Sequence, residues 1–272
     1  MKHIFFDLDG TLFSAHGELI PDSALLALKK LKANKHKVYI ATGRPYHQIQ
    51  DLLKRQIIDW DGYICGAGTY VEFNGEVILN EQIDMALVDE VITHTDKLNI
   101  GIEIDGEKGG YFSKKGLADM YHNIKEAQPE YTDKDIQDRL DNIFNSKEFS
   151  GYKNDKICKF MISGFTQETL KQLEDLIGDR FQFVTGEKRS EILLKKYNKA
   201  TGISFLAQHS NVSINDCIGI GDSLNDYEMI RDCGIGVAMG NAHPLVKEVA
   251  DYISADASAD GIYQAIKALD LI

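Results

Sequence analysis

The stretch IFFDLDGTLF, Ile4 to Phe13, ends an apolar run on two carboxylates, Asp7 and Asp9, spaced two residues apart. A short apolar run of this kind reads as a buried strand. Side chains alternate faces along a strand, so the two acids are expected to point the same way from its carboxyl end, where open α/β sheets bind their ligands. Two carboxylates about 4 Å apart repel by roughly 4 kcal/mol at an effective dielectric near 20, so the pair calls for an offsetting charge. A hard divalent cation such as Mg²⁺, which favours one or two carboxylates together with phosphate and water, supplies it. Repulsion also separates the two pKa values, which suits one acid to nucleophilic attack and the other to proton donation. A calcium loop counted from Asp7 would find Glu18 at its twelfth position. Leu12 stands where that loop needs glycine, and a strand rather than a helix precedes it, so the calcium reading fails.

Outward from this strand the chain alternates. DSALLALKKLKAN is an amphipathic helix with Asp22 expected as its cap after Pro21, KVYIATG a strand, PYHQIQDLLKRQ a helix and DGYICGAG a strand. Nearly all-apolar strands alternating with helices predict a parallel sheet covered on both faces. Between about Gln82 and Glu191 the texture becomes more polar and the strands shorter (IGIEID, GGYFS, KICKFMIS, RFQFVTG), with a helix FTQETLKQLEDLIG capped by Thr166 and stopped by Gly178. Alternation then resumes with NKATGISFLAQHS, DCIGIGDS, LNDYEMIRDCG and IGVAMG. A sheet begun by one end of the chain and finished by the other implies a discontinuous domain. The expected architecture is α/β: a Rossmann-like parallel sheet core from residues 1–82 and 192–272, interrupted by an α+β insert over 83–191. DWDG, Asp59 to Gly62, repeats the acid spacing but has little apolar sequence before it, and reads as a turn.

Composition narrows the function classes. The 272 residues carry a net charge of -12 with no long basic cluster, a field that repels nucleic acid and acidic membranes. No apolar run reaches the length of a membrane span and the amino terminus carries acids early, so a cytoplasmic protein is expected. The four cysteines lie far apart without a CxxC pair and are expected to be reduced. The eight histidines are scattered without zinc spacing, and GIGIGDS continues into neither a dinucleotide fingerprint nor a P-loop. An anionic substrate would need positive charge concentrated locally, from a metal or from placed lysines.

Four elements occur in order, each at a strand end or a helix start: FFDLDGTLF, YIATGR, YNKATGISFL and IGIGDSLNDYEM. Together they resemble the motifs of the haloacid dehalogenase superfamily of phosphatases. The closing segments VAMGNAHPLVKEVADYI and DGI are similar to its Cof-type branch, which carries an α/β cap (type IIB) between the second and third motifs. One departure stands out: the turn after the third strand, often Asn-Gly-Ala in the family, reads Cys65-Gly66-Ala67-Gly68 here.

The resemblance implies a Mg²⁺-dependent phosphatase of small phosphate monoesters, sugar phosphates foremost, working through an aspartyl-phosphate. It implies Asp7 as nucleophile and Asp9 as general acid and base. The metal would be held by Asp7, the backbone carbonyl of Asp9 and Asp222. Phosphate oxygens would be met by Thr42, Lys199, Asn225 and the backbone N–H groups of Leu8 and Gly43, and Asp226 would act from behind, orienting Lys199 or holding a water. Gly10 fits a tight turn after the nucleophile, in which Thr11 is expected to bond. A phosphomutase, or a non-catalytic sensor of a phosphorylated metabolite, remain the alternatives, although a sensor needs no paired nucleophile and acid.

Overall fold

A computed structural model of the chain describes residues 1–13, 19–54, 58–142 and 146–272, with backbone only for 51–54. Glu18 and the last two residues of the expected second helix, Arg55 and Gln56, lie outside the described residues. The chain divides into two compact units: Met1–Arg44, Asp51–Asn80 and Tyr197–Ile272 form one, Pro45–Gln50 and Glu81–Lys196 the other.

The first unit is built on an eight-stranded sheet. Its strands are β1 (His3–Phe6), β2 (Lys37–Ala41), β3 (Gly62–Cys65), β4 (Tyr70–Phe73) and β5 (Glu76–Asn80) from the first part of the chain. After the five strands β6–β10 of the second unit come β11 (Cys217–Gly221), β12 (Ile235–Ala238) and β13 (Tyr252–Ile253). The order is β13-β12-β11-β1-β2-β3-β4-β5, parallel from β13 to β3 and antiparallel beyond. Parallel pairing needs both faces covered, and β1, β2 and β11 accordingly bury almost every side chain. The β4–β5 hairpin did not emerge from the strand alternation. Its signal was nonetheless present, because Asn74-Gly75 takes positive φ at both residues (51° and 83°), the conformation that two-residue hairpin turns require.

Helix α1 (Asp22–Ala33) turns Ala24, Ala27, Leu28 and Leu31 inward at helical spacing. Its cap position is Pro21 rather than Asp22; Asp22 is the first helical residue, where its charge suits the positive end of the helix. Helix α2 spans Tyr46–Lys54. The expected DWDG turn contains a buried anchor: Asp61 accepts from Lys32 Nζ at 2.8 Å, Lys37 Nζ at 2.7 Å and the Val38 amide at 2.9 Å. Burial opposes its charge, but the two lysines outweigh burial and hold its carboxyl below the usual range.

The second unit carries an antiparallel sheet, ordered β7-β6-β8-β10-β9, from β6 (Gly101–Gly106), β7 (Gly110–Phe112), β8 (Ile157–Ser163), β9 (Phe181–Thr185) and β10 (Arg189–Leu194). Helices α3 (Met85–Lys97) and α6 (Gln167–Ile177) pack Val88, Val91, Leu170 and Leu173 onto Ile102, Ile104, Phe160, Ile162 and Ile192. Thr166 caps α6 through a reciprocal bond with Thr169, and Gly178 ends it. Helices α4 (Lys114–Ala127) and α5 (Asp133–Asn142) form a smaller apolar cluster with Phe112. The alternate sheet positions are ionic: Lys159 Nζ lies 2.9 Å from Glu191 Oε1 and Arg189 Nη2 lies 2.5 Å from Glu103 Oε2. Burial pushes Glu103 up to about 8, helped by the neighbouring Asp105. Among the described residues, no helix is long and apolar enough to cross a membrane.

Candidate active site

Three adjacent parallel strands, β11, β1 and β2, end level with one another. Phe6 pairs with Ile220 on one side and with Ile40 on the other, and the Asp7 amide donates to the Ile220 carbonyl at 2.9 Å. The residues that follow are therefore neighbours in space: Asp7 after β1, Thr42 after β2, Asp222 after β11. Helix α7 (Lys199–His209) begins at the same place, capped by Asn198, whose side chain accepts from the Thr201 amide.

Lys199 is fully buried, and its Nζ donates to Asp7 Oδ1 at 2.5 Å and to Asp226 Oδ1 at 2.6 Å. Burial works against its charge, but the Asp226 and Asp7 carboxylates more than offset it and hold the ammonium protonated well beyond neutral pH. Asp7 is also raised, pushed well above an ordinary carboxyl by burial first and by the charge of Asp226 next, against the pull of Lys199. Asp222 is pushed up to about 6, again mainly by burial, with the Thr11 hydrogen bond pulling the other way.

Strand β1 stops at Phe6, so the two-residue alternation expected for Asp7 and Asp9 does not continue through both. Leu8 to Phe13 close into a tight loop, in which the Gly10 amide donates to the Phe13 carbonyl and the Phe13 amide to the Leu8 carbonyl. Asp7 stays buried against Lys199, while Asp9, 57% exposed, gives both oxygens to Arg44: Nε to Oδ2 at 2.7 Å and Nη2 to Oδ1 at 2.6 Å. The motif pattern in the sequence assigns Arg44 no role. Its only signal was its position beside Thr42 and Gly43 in YIATGR.

Thr11 also departs from expectation. Its amide bonds within the turn, to the Leu8 carbonyl, but its hydroxyl leaves the turn and donates to Asp222 Oδ1 at 2.7 Å. Gly10 is required on two counts, with φ at +84° and with Asp222 Oδ2 only 2.4 Å from where a Cβ would stand. Asn241 Nδ2 donates to the Gly10 carbonyl at 2.9 Å, fixing the far side of the same turn.

Thr42 is buried, and its hydroxyl oxygen accepts the Arg44 amide at 3.1 Å, which leaves the hydroxyl hydrogen for an incoming oxygen. Gly43 is buried beside it. The Asn225 side-chain oxygen accepts from Ser223 Oγ at 2.8 Å, which orients its amide. Asp226 Oδ2 accepts the amides of Asp222 (3.0 Å) and Ser223 (2.9 Å), so one buried carboxylate positions both Lys199 and the loop that carries Asp222. The departing turn Cys65–Gly68 is held close: the Gly66 amide donates to the Arg44 carbonyl at 2.8 Å and the Ala67 amide to the Thr42 carbonyl at 3.1 Å.

Asp7, Asp222 and Asp226 can each present a carboxylate oxygen within 4.8 Å of the others. An all-oxygen set, with two of its members displaced toward the neutral form by mutual crowding and burial, fits a hard divalent cation.

The chain belongs to the haloacid dehalogenase-like hydrolases, whose family model matches residues 4–266. Within them it is a hydrolase of phosphoric monoester bonds, of the Cof-type branch and cap subclass IIB. The HMP-PP phosphatase of Enterobacter sp. (strain 638) is 28% identical, over 90% of this chain and 86% of that protein. The 5-amino-6-(5-phospho-D-ribitylamino)uracil phosphatase YcsE of Bacillus subtilis (strain 168) is 26% identical, over 98% and 95%. The solved structure of the HAD subclass IIB sugar phosphatase BT4131 superposes with a TM-score of 0.80 at 26% identity, covering all of both chains.

Proposed function

We propose that the enzyme is a Mg²⁺-dependent, cytoplasmic phosphatase of small phosphorylated metabolites, sugar phosphates or similar monoesters, that works through a covalent aspartyl-phosphate. The observation that carries this reading is the Asp7–Lys199–Asp226 arrangement at the end of β1: a buried carboxylate held by a buried ammonium, beside a further acid, Asp222. The names of its relatives support the substrate class, and four free cysteines suit a reducing compartment.

In the first step a carboxylate oxygen of Asp7 attacks phosphorus; the bond from phosphorus to the leaving alcohol breaks, and Asp9 gives that oxygen its proton. In the second step Asp9, now a base, takes a proton from water as the water oxygen attacks phosphorus. The bond to Asp7 then breaks and inorganic phosphate leaves. Lys199, the Thr42 hydroxyl, the Asn225 amide and the amides of Leu8 and Gly43 hold the phosphoryl oxygens in place and meet the charge that develops on them. Asp7, the Asp9 carbonyl and Asp222 would hold Mg²⁺, which when bound neutralises phosphoryl charge and favours the ionised carboxylates. Asp226 keeps Lys199 and the Asp222 loop in register. The insert expected over 83–191, which lies within the second unit, acts as the cap that selects the leaving group.

Phosphate release from a panel of monoesters, with Mg²⁺ and with chelator, tests the activity. Acid-quenched enzyme labelled from a ³²P-substrate should carry its label on Asp7, and a label on any other residue overturns the covalent scheme.

A further inference from the structure

Asp9 is the most exposed of the acids at this site, and on an ordinary surface an ion pair to such a group contributes little. Its partner is of another kind. Arg44 is only 16% exposed, its carbonyl accepts the Gly66 amide, its own amide donates to Thr42 Oγ1, and its guanidinium lies 5.6 Å from the centre of the Phe13 ring. Phe13 closes the loop in which Asp9 sits, through its amide to Leu8 and its carbonyl to Gly10. The Arg44 backbone is thus fixed by Thr42 and by the turn after β3, its guanidinium lies against the Asp9 loop through Phe13, and Asp9 is the more exposed member of the pair. Both Asp9 oxygens meet the planar fork of one guanidinium, a geometry that sets the plane of the carboxylate as well as its distance. A carboxylate so held keeps a lone pair on each oxygen for proton transfer.

We propose that Arg44 is a positioning residue for Asp9, holding the plane of its carboxylate for proton exchange with the leaving oxygen and then with water. The proposal rests on the phosphatase reading above. The guanidinium need not touch substrate; it acts through the one side chain whose orientation the chemistry depends on. A point charge could attract Asp9 but could not orient it, so lysine is not an equivalent at this position.

The test is a double-mutant cycle of Arg44→Ala and Asp9→Asn, with β-glycerophosphate and p-nitrophenyl phosphate as probes. The second probe has a leaving group that departs without a proton and so keeps the Asp9→Asn enzyme measurable. In the parent background Arg44→Ala should lower kcat for β-glycerophosphate by about 10²-fold, the scale expected when a reacting group is misplaced, with KM changing much less. In the Asp9→Asn background the same substitution should cost less than about twofold with p-nitrophenyl phosphate, well below its cost in the parent with that same probe, where water attack still needs Asp9 as base, because residues that act through one another are not additive. Guanidinium ion added to Arg44→Ala should restore part of the rate, and Arg44→Lys should stay low. Additive losses, or full activity in Arg44→Lys, overturn the proposal. Should Arg44→Ala fail to fold by circular dichroism, Arg44→Lys runs the same cycle with the same criterion. Parental turnover in Asp9→Asn would instead overturn the role of Asp9, a separate outcome.

Discussion

Lys199 Nζ stands 2.5 Å from Asp7 Oδ1, joining residues 192 positions apart in the chain, and the same ammonium reaches Asp226 Oδ1 at 2.6 Å. Neither carboxylate is exposed enough for water to take over the role of Lys199. Lys199→Met, close in shape but uncharged, should therefore leave two buried acids uncompensated. Breaking a buried pair from one side costs about 3–5 kcal/mol, and removing a donor from a developing oxyanion costs roughly 10²–10³ in kcat. Thermal unfolding and steady-state kinetics read the two losses separately. Unchanged turnover would place the phosphoryl group elsewhere.

Chelation should abolish phosphate release and Mg²⁺ should restore it, with the parent melting at higher temperature when the ion is added. Thr11→Val removes the hydroxyl that donates to Asp222 Oδ1 at 2.7 Å and leaves the carboxylate free to rotate. Partners that orient a metal ligand typically influence affinity by about 10–100-fold, so calorimetric Mg²⁺ affinity should weaken on that scale. Equal affinity in parent and variant would show that Asp222 is oriented by something other than Thr11.

Gly10→Ala is a sharper probe of the same carboxylate. The added Cβ would stand 2.4 Å from Asp222 Oδ2 at a φ of +84°, so both the backbone and Asp222 must shift. Activity should fall by more than about 10²-fold, as expected for displacement of a reacting constellation by an ångström. A crystal structure of the variant should show Asp222 turned away, and retention of parental Mg²⁺-dependent activity would exclude Asp222 as a metal ligand.

Asp61 supplies a pH test remote from the chemistry. Its folded pKa lies below the unfolded value because Lys32 and Lys37 outweigh burial, so the native state holds fewer protons than the unfolded chain. The stability it contributes is present above the unfolded carboxyl pKa and is lost as pH falls through the lower, folded one. Asp61→Asn should therefore destabilise the protein to urea at pH 7, by roughly 1.5–3 kcal/mol, the worth of a hydrogen bond to a charged group, with the difference from the parent shrinking toward pH 3. A difference independent of pH would mean that the packing of Asp61, and not its charge, is what the fold uses.

Much of this protein was written in local pattern. Apolar runs at strand spacing announced β1, β2, β3 and β11, and the four motif segments named Asp7, Thr42, Lys199 and Asp222 before any of them had neighbours, because a strand end or a helix start is a property of a few consecutive residues. The partners of those side chains were not local. Arg44 and Asp9, or Thr11 and Asp222, meet only because β1 is hydrogen-bonded between β2 and β11, so that loops from distant parts of the chain share one sheet edge. The same holds for Asp61, which resembled a turn residue until Lys32 and Lys37 enclosed it. Sequence determined which chemical groups this protein owns and most of the strands that carry them. Tertiary structure alone decided which charge faces which, because pairing depends on distances across the sheet that spacing along the chain does not encode.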